Sequence, residues 1–213
     1  MMKLGVFDSG IGGEAVARSL ALHFPEAIIT TVNDRAHVPY GDREADEIQR
    51  LTDTAIQPLL GSDIIVIACN SATAAAIDWL REKYPTQLFI GLEPMVKTAA
   101  THTKTGVIAV CATPATLASE RYHSLKKAHA TNITILEPDC SSWARMIEDN
   151  TMNEREITTQ ISQLLEKNAD VIVLGCTHYH WIKEDIMNAT HGKAEVIDPS
   201  DAIANRVRQL LAT

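Results

Sequence analysis

The sequence lacks the features that mark secreted and membrane proteins. Its 213 residues contain no apolar run of membrane-spanning length, and the N-terminus lacks the apolar core and cleavage site of a signal peptide. Only four cysteines are present, and two of them lie at predicted strand ends in polar turns, which argues against a disulfide framework. We therefore expect a cytoplasmic protein with reduced thiols and no membrane partner.

Positive charge is also scarce. Nineteen Lys and Arg residues stand against 27 Asp and Glu residues, which gives a net charge of −8, and the basic residues are scattered along the chain. A nucleic-acid backbone requires a clustered basic surface, so we expect no nucleic-acid partner. An acidic small molecule would have to be held by backbone N–H groups and helix N-termini instead.

Apolar residues follow two alternating patterns along the whole chain. Short β-branched runs, typical of buried strands, alternate with longer amphipathic stretches, typical of helices, and this order predicts an α/β fold with mainly parallel sheets. Strands are predicted near residues 3–8, 28–33, 63–69, 87–92, 105–111, 133–137, 170–175 and 194–198. Helices are predicted over most of residues 14–23, 43–60, 72–84, 93–102, 114–129, 141–149, 154–168, 181–190 and 199–212.

Two segments whose cysteines are 176 − 69 = 107 residues apart share one order of residue types. Residues 63–73 and 170–179 each contain an acid, a buried strand, a small residue, a cysteine and a polar turn. The repeat predicts two pseudo-symmetric α/β domains around a common cleft. We assign residues 1–94 plus 192–213 to the first domain and residues 95–191 to the second.

Cys69 and Cys176 occupy matching positions in the two domains. Each follows a strand, at the edge where parallel sheets bind ligands, and each precedes a predicted helix. A helix dipole stabilises a thiolate, so we expect lowered thiol pKa values and two acid/base groups. Two such groups can remove a proton from one face of a carbon atom and return one to the other face. Cys111 and Cys140 lack this setting, and for them we expect a packing role.

Polar residues near these cysteines extend the candidate site. Asp8 begins a glycine-rich turn over residues 8–13 that suits a small carboxylate better than a nucleotide, because it has neither nucleotide-loop signature. His178 lies two residues after Cys176, near enough to shuttle its proton. With His180 it forms a possible metal pair, which leaves a zinc or iron hydrolase as an outside alternative to a site without metal.

At these residues the sequence resembles glutamate racemases of the aspartate/glutamate racemase superfamily. The matching motifs run in the family's order and cover nearly the whole chain. They comprise residues 5–13 (Gly-Val-Phe-Asp-Ser-Gly-Ile-Gly-Gly), 38–41 (Val-Pro-Tyr-Gly), 68–73 (Ala-Cys-Asn-Ser-Ala-Thr), 93–94 (Glu-Pro), the pattern of Thr113, Thr116, Ser119 and Tyr122, and residues 175–179 (Gly-Cys-Thr-His-Tyr).

The resemblance implies a fold, an activity and a set of site residues. It implies two pseudo-symmetric α/β domains with the active site in the cleft between them, no cofactor, a homodimer, and D-glutamate made for peptidoglycan. Cys69 and Cys176 resemble the two catalytic acid/bases. Asp8 and His178 resemble their partners, and Glu148 resembles a further assisting acid. The residues that resemble the substrate-binding set are Asp8, Ser9, Pro39, Tyr40, Gly41, Asn70, Ser71, Thr73, Thr113, Thr177 and His178.

The sequence also departs from the family pattern. The family usually has Thr or Ser, Arg, Thr and Pro at four positions that hold Arg35, His37, Ser71 and His180 in this chain, and the C-terminal part is shorter here. These changes leave both cysteines in place. Two alternatives stay open beside a glutamate racemase: a racemase for aspartate or another acidic amino acid, and a catalytically silent amino-acid-binding homologue.

Overall fold

Two parallel β-sheets of four strands each form the framework of the protein in the computed structural model, which describes residues 1–212. The strands of the first sheet are β1 (Lys3–Asp8), β2 (Ile28–Asn33), β3 (Ile64–Ile67) and β4 (Leu88–Gly91). The strands of the second sheet are β5 (Val107–Ala112), β6 (Thr134–Leu136), β7 (Val171–Gly175) and β8 (Glu195–Ile197). The spatial orders are β2-β1-β3-β4 and β6-β5-β7-β8, so the two sheets share one topology.

Ten α-helices accompany these strands in the described residues. They are α1 (Gly12–His23), α2 (Ala45–Ala55), α3 (Asn70–Lys83), α4 (Val96–His102), α5 (Pro114–Ala118), α6 (Glu120–His129), α7 (Trp143–Glu148), α8 (Glu154–Glu166), α9 (Lys183–Thr190) and α10 (Ser200–Leu211). Short 3-10 turns cover Tyr40–Asp42, Gln57–Leu59 and Thr177–Ile182. Between residues 1 and 212, none of the helices is long and apolar enough to cross a membrane.

Side chains of the first sheet alternate between two apolar layers. Phe7, Ile65 and Ile67 face the layer under α2 and α3, whereas Leu4 and Val66 face the layer under α1 and α10. This alternation follows from the period-two direction of side chains along a strand, and it leaves both faces of the sheet covered. The second sheet is covered in the same way, by α7, α8 and α9 on one face and by α4 and α6 on the other.

The eight predicted strands are all confirmed, each to within two residues at either end. The helix predicted over residues 114–129 is divided at Ser119, which has an extended backbone (φ −71°, ψ 143°). The Oγ of Ser119 accepts a hydrogen bond from the N–H of Tyr122 and so caps α6. The helix predicted from residue 181 begins at Lys183, because the residues before it form a 3-10 turn.

The C-terminal residues contribute a strand to the second sheet and a helix to the first lobe. The sequence assigns residues 192–213 to the first domain, but β8 pairs in parallel with β7 and therefore lies in the second sheet. After β8 the chain crosses back, and α10 packs against the first sheet. We therefore propose a first lobe of residues 1–94 and 199–212 and a second lobe of residues 95–198.

The carboxyl ends of the two sheets face each other. The segment after β1 meets the segment after β7, where the hydroxyl of Thr177 donates to Oδ1 of Asp8 at 3.0 Å. The segment after β3 meets the segment after β5 in an equivalent way, through a 2.9 Å hydrogen bond between the hydroxyls of Ser71 and Thr113. The shared strand order therefore brings the ligand-binding edges of both sheets to one cleft between the lobes.

Candidate active site

The strand-end loops of both lobes enclose one small cavity. Its volume is about 10 Å³, enough for about one water molecule, so the lobes are closed on each other. The residues that line it are Ser9, Pro39, Tyr40, Gly41, Cys69, Asn70 and Ser71 from the first lobe and Thr113, Ala144, Cys176, Thr177 and His178 from the second. Both cysteines that the sequence singles out therefore border the same cavity, and Ala144 is the lining residue absent from the predicted set.

Cys69 caps the N-terminus of α3. Its Sγ accepts a hydrogen bond from the N–H of Ala72 at 3.4 Å and lies 3.4 Å from the Oγ of Ser9. Burial and, to a lesser degree, the charge of Asp8 raise the pKa of this thiol to about 12, although the hydrogen bonds with Ser9 and Ala72 oppose the rise. The expected lowering of this pKa by the helix dipole is therefore wrong, because desolvation of the thiolate outweighs the cap.

Cys176 follows β7, and a 3-10 turn comes after it in place of the expected α-helix. Instead of a capping N–H group, its sulfur has Nδ1 of His178 at 3.6 Å. The two cysteines thus have matching places in the fold but different electrostatic surroundings.

His178 lies between Cys176 and Glu148. Its Nδ1 faces the sulfur, and its Nε2 lies 2.7 Å from Oε1 of Glu148. Burial disfavours the imidazolium, but the hydrogen bonds to Cys176 and Glu148 and the charge of Asp8 outweigh burial and raise the pKa of His178 to about 11. The ring therefore keeps both its protons at neutral pH and joins a sulfur to a carboxylate.

Glu148, the last residue of α7, lies behind His178 and outside the cavity lining. Its Oε1 also accepts a hydrogen bond from the N–H of Ile11 at 2.7 Å, and its Oε2 lies 3.8 Å from the guanidinium of Arg35. Burial opposes ionisation, but His178, Ile11 and Arg35 together hold the pKa of Glu148 below its ordinary value. The carboxylate therefore stays charged and supports the imidazolium.

The glycine-rich turn after β1 packs against this pair. A Cβ atom at Gly10 would lie 2.0 Å from Oε1 of Glu148 and 2.5 Å from Nε2 of His178, so glycine is required by close approach. The sequence predicts that this turn approaches a small anion. In the structure, two carboxylates of the protein receive N–H groups of the turn: Asp8 accepts from Gly10, and Glu148, a side chain of the opposite lobe, accepts from Ile11.

Asp8 is fully buried and lies outside the cavity lining. Its Oδ1 accepts from the hydroxyl of Thr177 at 3.0 Å, and its Oδ2 accepts from the N–H of Gly10 at 3.2 Å. Burial raises the pKa of Asp8, and the charge of His178 and these hydrogen bonds oppose the rise. Its influence on Cys69 and His178 is electrostatic.

The polar wall of the cavity contains an unpaired acceptor. Asn70 lines the cavity, and its buried Oδ1 has no hydrogen-bond partner among the residues that the structure describes. The hydroxyls of Ser71 and Thr113 bond to each other across the lobes, whereas the hydroxyl of Tyr40 donates to Asp34 at 2.7 Å. The wall thus offers an acceptor that suits an ammonium group and hydroxyl donors that suit carboxylates.

Thr73 does not line the cavity, although the resemblance implies that it binds substrate. Its hydroxyl donates to the carbonyl of Ile67 and accepts from the N–H of Leu92, both at 3.0 Å. The side chain is fully buried and joins the ends of β3 and β4. Because both hydrogen-bonding functions of the hydroxyl are used inside the first lobe, Thr73 has a structural role.

Three contributors to the site are absent from the predicted site residues, although Ile11 lies in the motif of residues 5–13 and Arg35 is one of the departures from the family pattern. Ala144 presents only a small apolar side chain, Ile11 contributes its backbone N–H, and Arg35 reaches Glu148 from the other lobe. Each depends on which segments the tertiary structure brings together, so residue type and spacing could not have identified them.

His178 and His180 do not form the metal pair that the sequence left open. Both ring nitrogens of His178 face other side chains, Cys176 and Glu148. Across residues 1–212, no group of three or more His, Cys, Asp or Glu side chains is arranged to hold a metal ion.

Comparisons with known proteins agree with this geometry. A family profile described as Asp/Glu/Hydantoin racemase matches residues 13–207. The glutamate racemase of Roseiflexus sp. (strain RS-1) is 35% identical over 214 residues, which cover 98% of this chain and 79% of the relative. Among solved structures, Escherichia coli glutamate racemase in complex with L-glutamate and the activator UDP-MurNAc-Ala has a TM-score of 0.90 at 26% identity, covering 99% of this chain and 82% of that one. Francisella tularensis glutamate racemase in complex with D-glutamate has a TM-score of 0.82 at 31% identity, covering 99% and 81%.

We expect His178 to remain an imidazolium at pH 8. The Glu148 carboxylate and Cys176 sulfur hold its pKa at about 11, far above the ordinary 6.5. Carbon-13 NMR of histidine-labelled protein should therefore show one ring that stays in the imidazolium form from pH 6 to 8. Glu148→Gln, which removes the negative partner, should bring this titration down toward neutral pH. A His178 resonance that titrates near pH 6.5 in the wild-type protein would contradict the assignment.

Thr73→Val should destabilise the protein by about 1–2 kcal/mol, because it removes two buried hydrogen bonds that join β3 to β4. Urea denaturation measures the loss. Thr101→Val is the matched control, since Thr101 is exposed and bonds only to the carbonyl of Thr98, and it should change stability by less than about 0.5 kcal/mol. An equal loss of stability from Thr73→Val and Thr101→Val would show that Thr73 does not have this structural role.

Proposed function

The chain belongs to the Asp/Glu/hydantoin racemase family, and from this premise we propose that it is a glutamate racemase, an isomerase that interconverts L-glutamate and D-glutamate. The observation that carries this function is that Cys69 and Cys176, from equivalent positions of two lobes, border one cavity. A racemase needs a proton acceptor and a proton donor at the same carbon atom, and two thiols of the chain itself supply both without a cofactor.

The two thiols are not equivalent in the closed structure. Burial and Asp8 keep Cys69 protonated, because they raise its pKa to about 12. Cys176 faces His178, whose imidazolium is held by Glu148. This difference supports a starting state in which Cys176 is the base and Cys69 is the acid.

In this direction, the Cys176 thiolate removes the α-hydrogen of glutamate as a proton, and the electrons of the C–H bond stay on the substrate. The S–H group of Cys69 then delivers its proton to the opposite face of the α-carbon. Cys176 ends as a thiol and Cys69 as a thiolate, so the product leaves an enzyme ready for the reverse direction. Proton exchange with solvent returns the pair to its starting state.

Polar contacts in the cavity fit an amino acid with two carboxylates. The unpaired Oδ1 of Asn70 can accept from the ammonium group. The hydroxyl of Thr113 donates to Thr116, so the hydroxyl of Ser71, once it is separated from Thr113, is the one that can donate to a carboxylate. Donors aimed at the α-carboxylate also stabilise the charge that develops there after proton removal. Since the cavity now holds about 10 Å³, we propose that the lobes open to admit glutamate and that the Ser71–Thr113 bond separates.

The cellular role that we propose is the supply of D-glutamate for peptidoglycan in the cytoplasm. The names of the relatives support the reaction, and the four free thiols of the chain fit a reducing compartment.

We further propose that the chain forms a homodimer, as membership of the family implies. Size-exclusion chromatography with light scattering should then give a mass near twice the 23.3 kDa of one chain. A mass of one chain at micromolar concentration would contradict the dimer and leave the proposed reaction untouched.

In deuterated water, glutamate should gain deuterium at the α-carbon as it racemises, and Cys69→Ala and Cys176→Ala should each abolish net racemisation. Each variant retains one base, so each should exchange the α-hydrogen of at most one enantiomer, and the two variants should act on opposite enantiomers. Chiral chromatography and proton NMR measure both effects.

Cys111→Ala is the control, because Cys111 is buried in the second lobe and does not line the cavity, so the variant should racemise glutamate. Normal racemisation by either Cys69→Ala or Cys176→Ala would exclude the two-thiol mechanism. A wild-type protein that racemises aspartate in preference to glutamate would exclude the proposed substrate.

A further inference from the structure

Arg35 reaches from the first lobe toward the proton-transfer groups of the second. It follows β2 in the chain, and its guanidinium lies 3.8 Å from Oε2 of Glu148. The side chain of Arg35 is 63% exposed, whereas that of Glu148 is 8% exposed. A cation on the solvent side therefore faces an almost buried carboxylate across the cleft.

Cys176, His178 and Glu148 form a row of contacting side chains in the second lobe. Within this row, Glu148 is the side chain that contacts both Ile11 and Arg35 of the first lobe. One oxygen of its carboxylate accepts from the N–H of Ile11 in the first lobe and pairs with His178 in the second. The other oxygen faces Arg35. When the lobes separate, the contacts with Ile11 and Arg35 are lost together, while the contact with His178 stays within the second lobe.

We propose that Arg35 is a positioning residue that holds the Glu148 carboxylate against His178 in the closed enzyme and so couples lobe closure to the readiness of Cys176 for proton transfer. Arg35 lies outside the cavity lining and acts through Glu148. The inference rests on the proposed function, because it concerns the base of that reaction.

The charges around Cys176, His178 and Glu148 indicate that Arg35 favours the charged forms of Glu148 and His178. His178 is flanked by two acids, Asp8 and Glu148, and lies near the buried ring of His180. Arg35 is the cation that faces Glu148 from the first lobe, and it favours the ionised carboxylate. Without Arg35, Glu148 is more readily protonated or turned to solvent, and it then supports the imidazolium less.

Arg145 provides a matched control. It lies three residues before Glu148 on α7, its guanidinium is 3.4 Å from the carboxylate of Asp42 in the first lobe, and its side chain is 64% exposed. It therefore forms an interlobe ion pair whose arginine is as exposed as Arg35, but whose carboxylate is 50% exposed. Neither Arg145 nor Asp42 contacts His178 or Glu148 in the hydrogen bonds and ion pairs of the described chain.

Arg35→Gln should lower kcat for glutamate about two- to fivefold, the range expected for a largely exposed ion pair. It should also raise the primary isotope effect with α-deuterated glutamate, because proton transfer becomes slower relative to lobe opening. Arg35→Lys, which keeps the cation, should recover most of kcat. Arg145→Gln should leave the isotope effect at the wild-type value, and thermal unfolding should be unchanged in all three variants.

Substitution of Glu148 provides a second test. In a Glu148→Gln background, Arg35→Gln should cause no further loss of kcat. Arg145→Gln should change kcat by the same factor in the wild-type protein and in the Glu148→Gln variant. If Glu148→Gln is inactive, the test is the comparison of the isotope effects of Arg35→Gln and Arg145→Gln in the otherwise wild-type protein. Equal changes in kcat and in the isotope effect for Arg35→Gln and Arg145→Gln would overturn the inference. Failure of the wild-type protein to racemise glutamate would instead overturn the proposed function.

Discussion

The site depends on the contact between the carboxyl ends of two parallel sheets. A single sheet of this kind gathers its strand-end loops at one edge, but each lobe then offers only one of the two cysteines. Because the sheets share one strand order, the loop after β1 meets the loop after β7, and the loop after β3 meets the loop after β5. Residues 169 and 42 positions apart in the chain thus become neighbours, and a cavity with a thiol from each lobe results.

Within this nearly symmetric frame, the hydrogen-bond partners of each ionisable group decide its charge. Burial disfavours the charged forms of Cys69, His178 and Glu148. Cys69 has two weak hydrogen bonds and an acid nearby, so it keeps its proton. His178 and Glu148 are charged because each is the hydrogen-bonding partner of the other, with little access to water. A duplicated fold therefore supports unequal roles for the two thiols.

Contacts between the two lobes hold these charged groups in place in the closed structure. The turn after β1 supplies the N–H of Ile11 to Glu148 and requires glycine at position 10 for that approach. Thr177 in turn reaches Asp8, and Ser71 reaches Thr113, so polar groups of one lobe are satisfied by the other. Separation of the lobes exposes these groups to water and leaves room for a substrate whose own polar groups can replace the lost contacts.

The sequence by itself determined the strands, their parallel arrangement in two lobes and the residues at the strand ends. Apolar runs and polar turns follow from local chemistry, and all but one of the residues that line the cavity are in motifs that can be read along the chain. Only the tertiary structure decided that β8 joins the second sheet, that Thr73 is used inside its own lobe, and that Arg35 and Ile11 face Glu148. It also reversed the expected pKa direction of Cys69. The reason is that desolvation and charge act through space, so their balance depends on groups that are distant in the chain and becomes defined only when the two lobes meet.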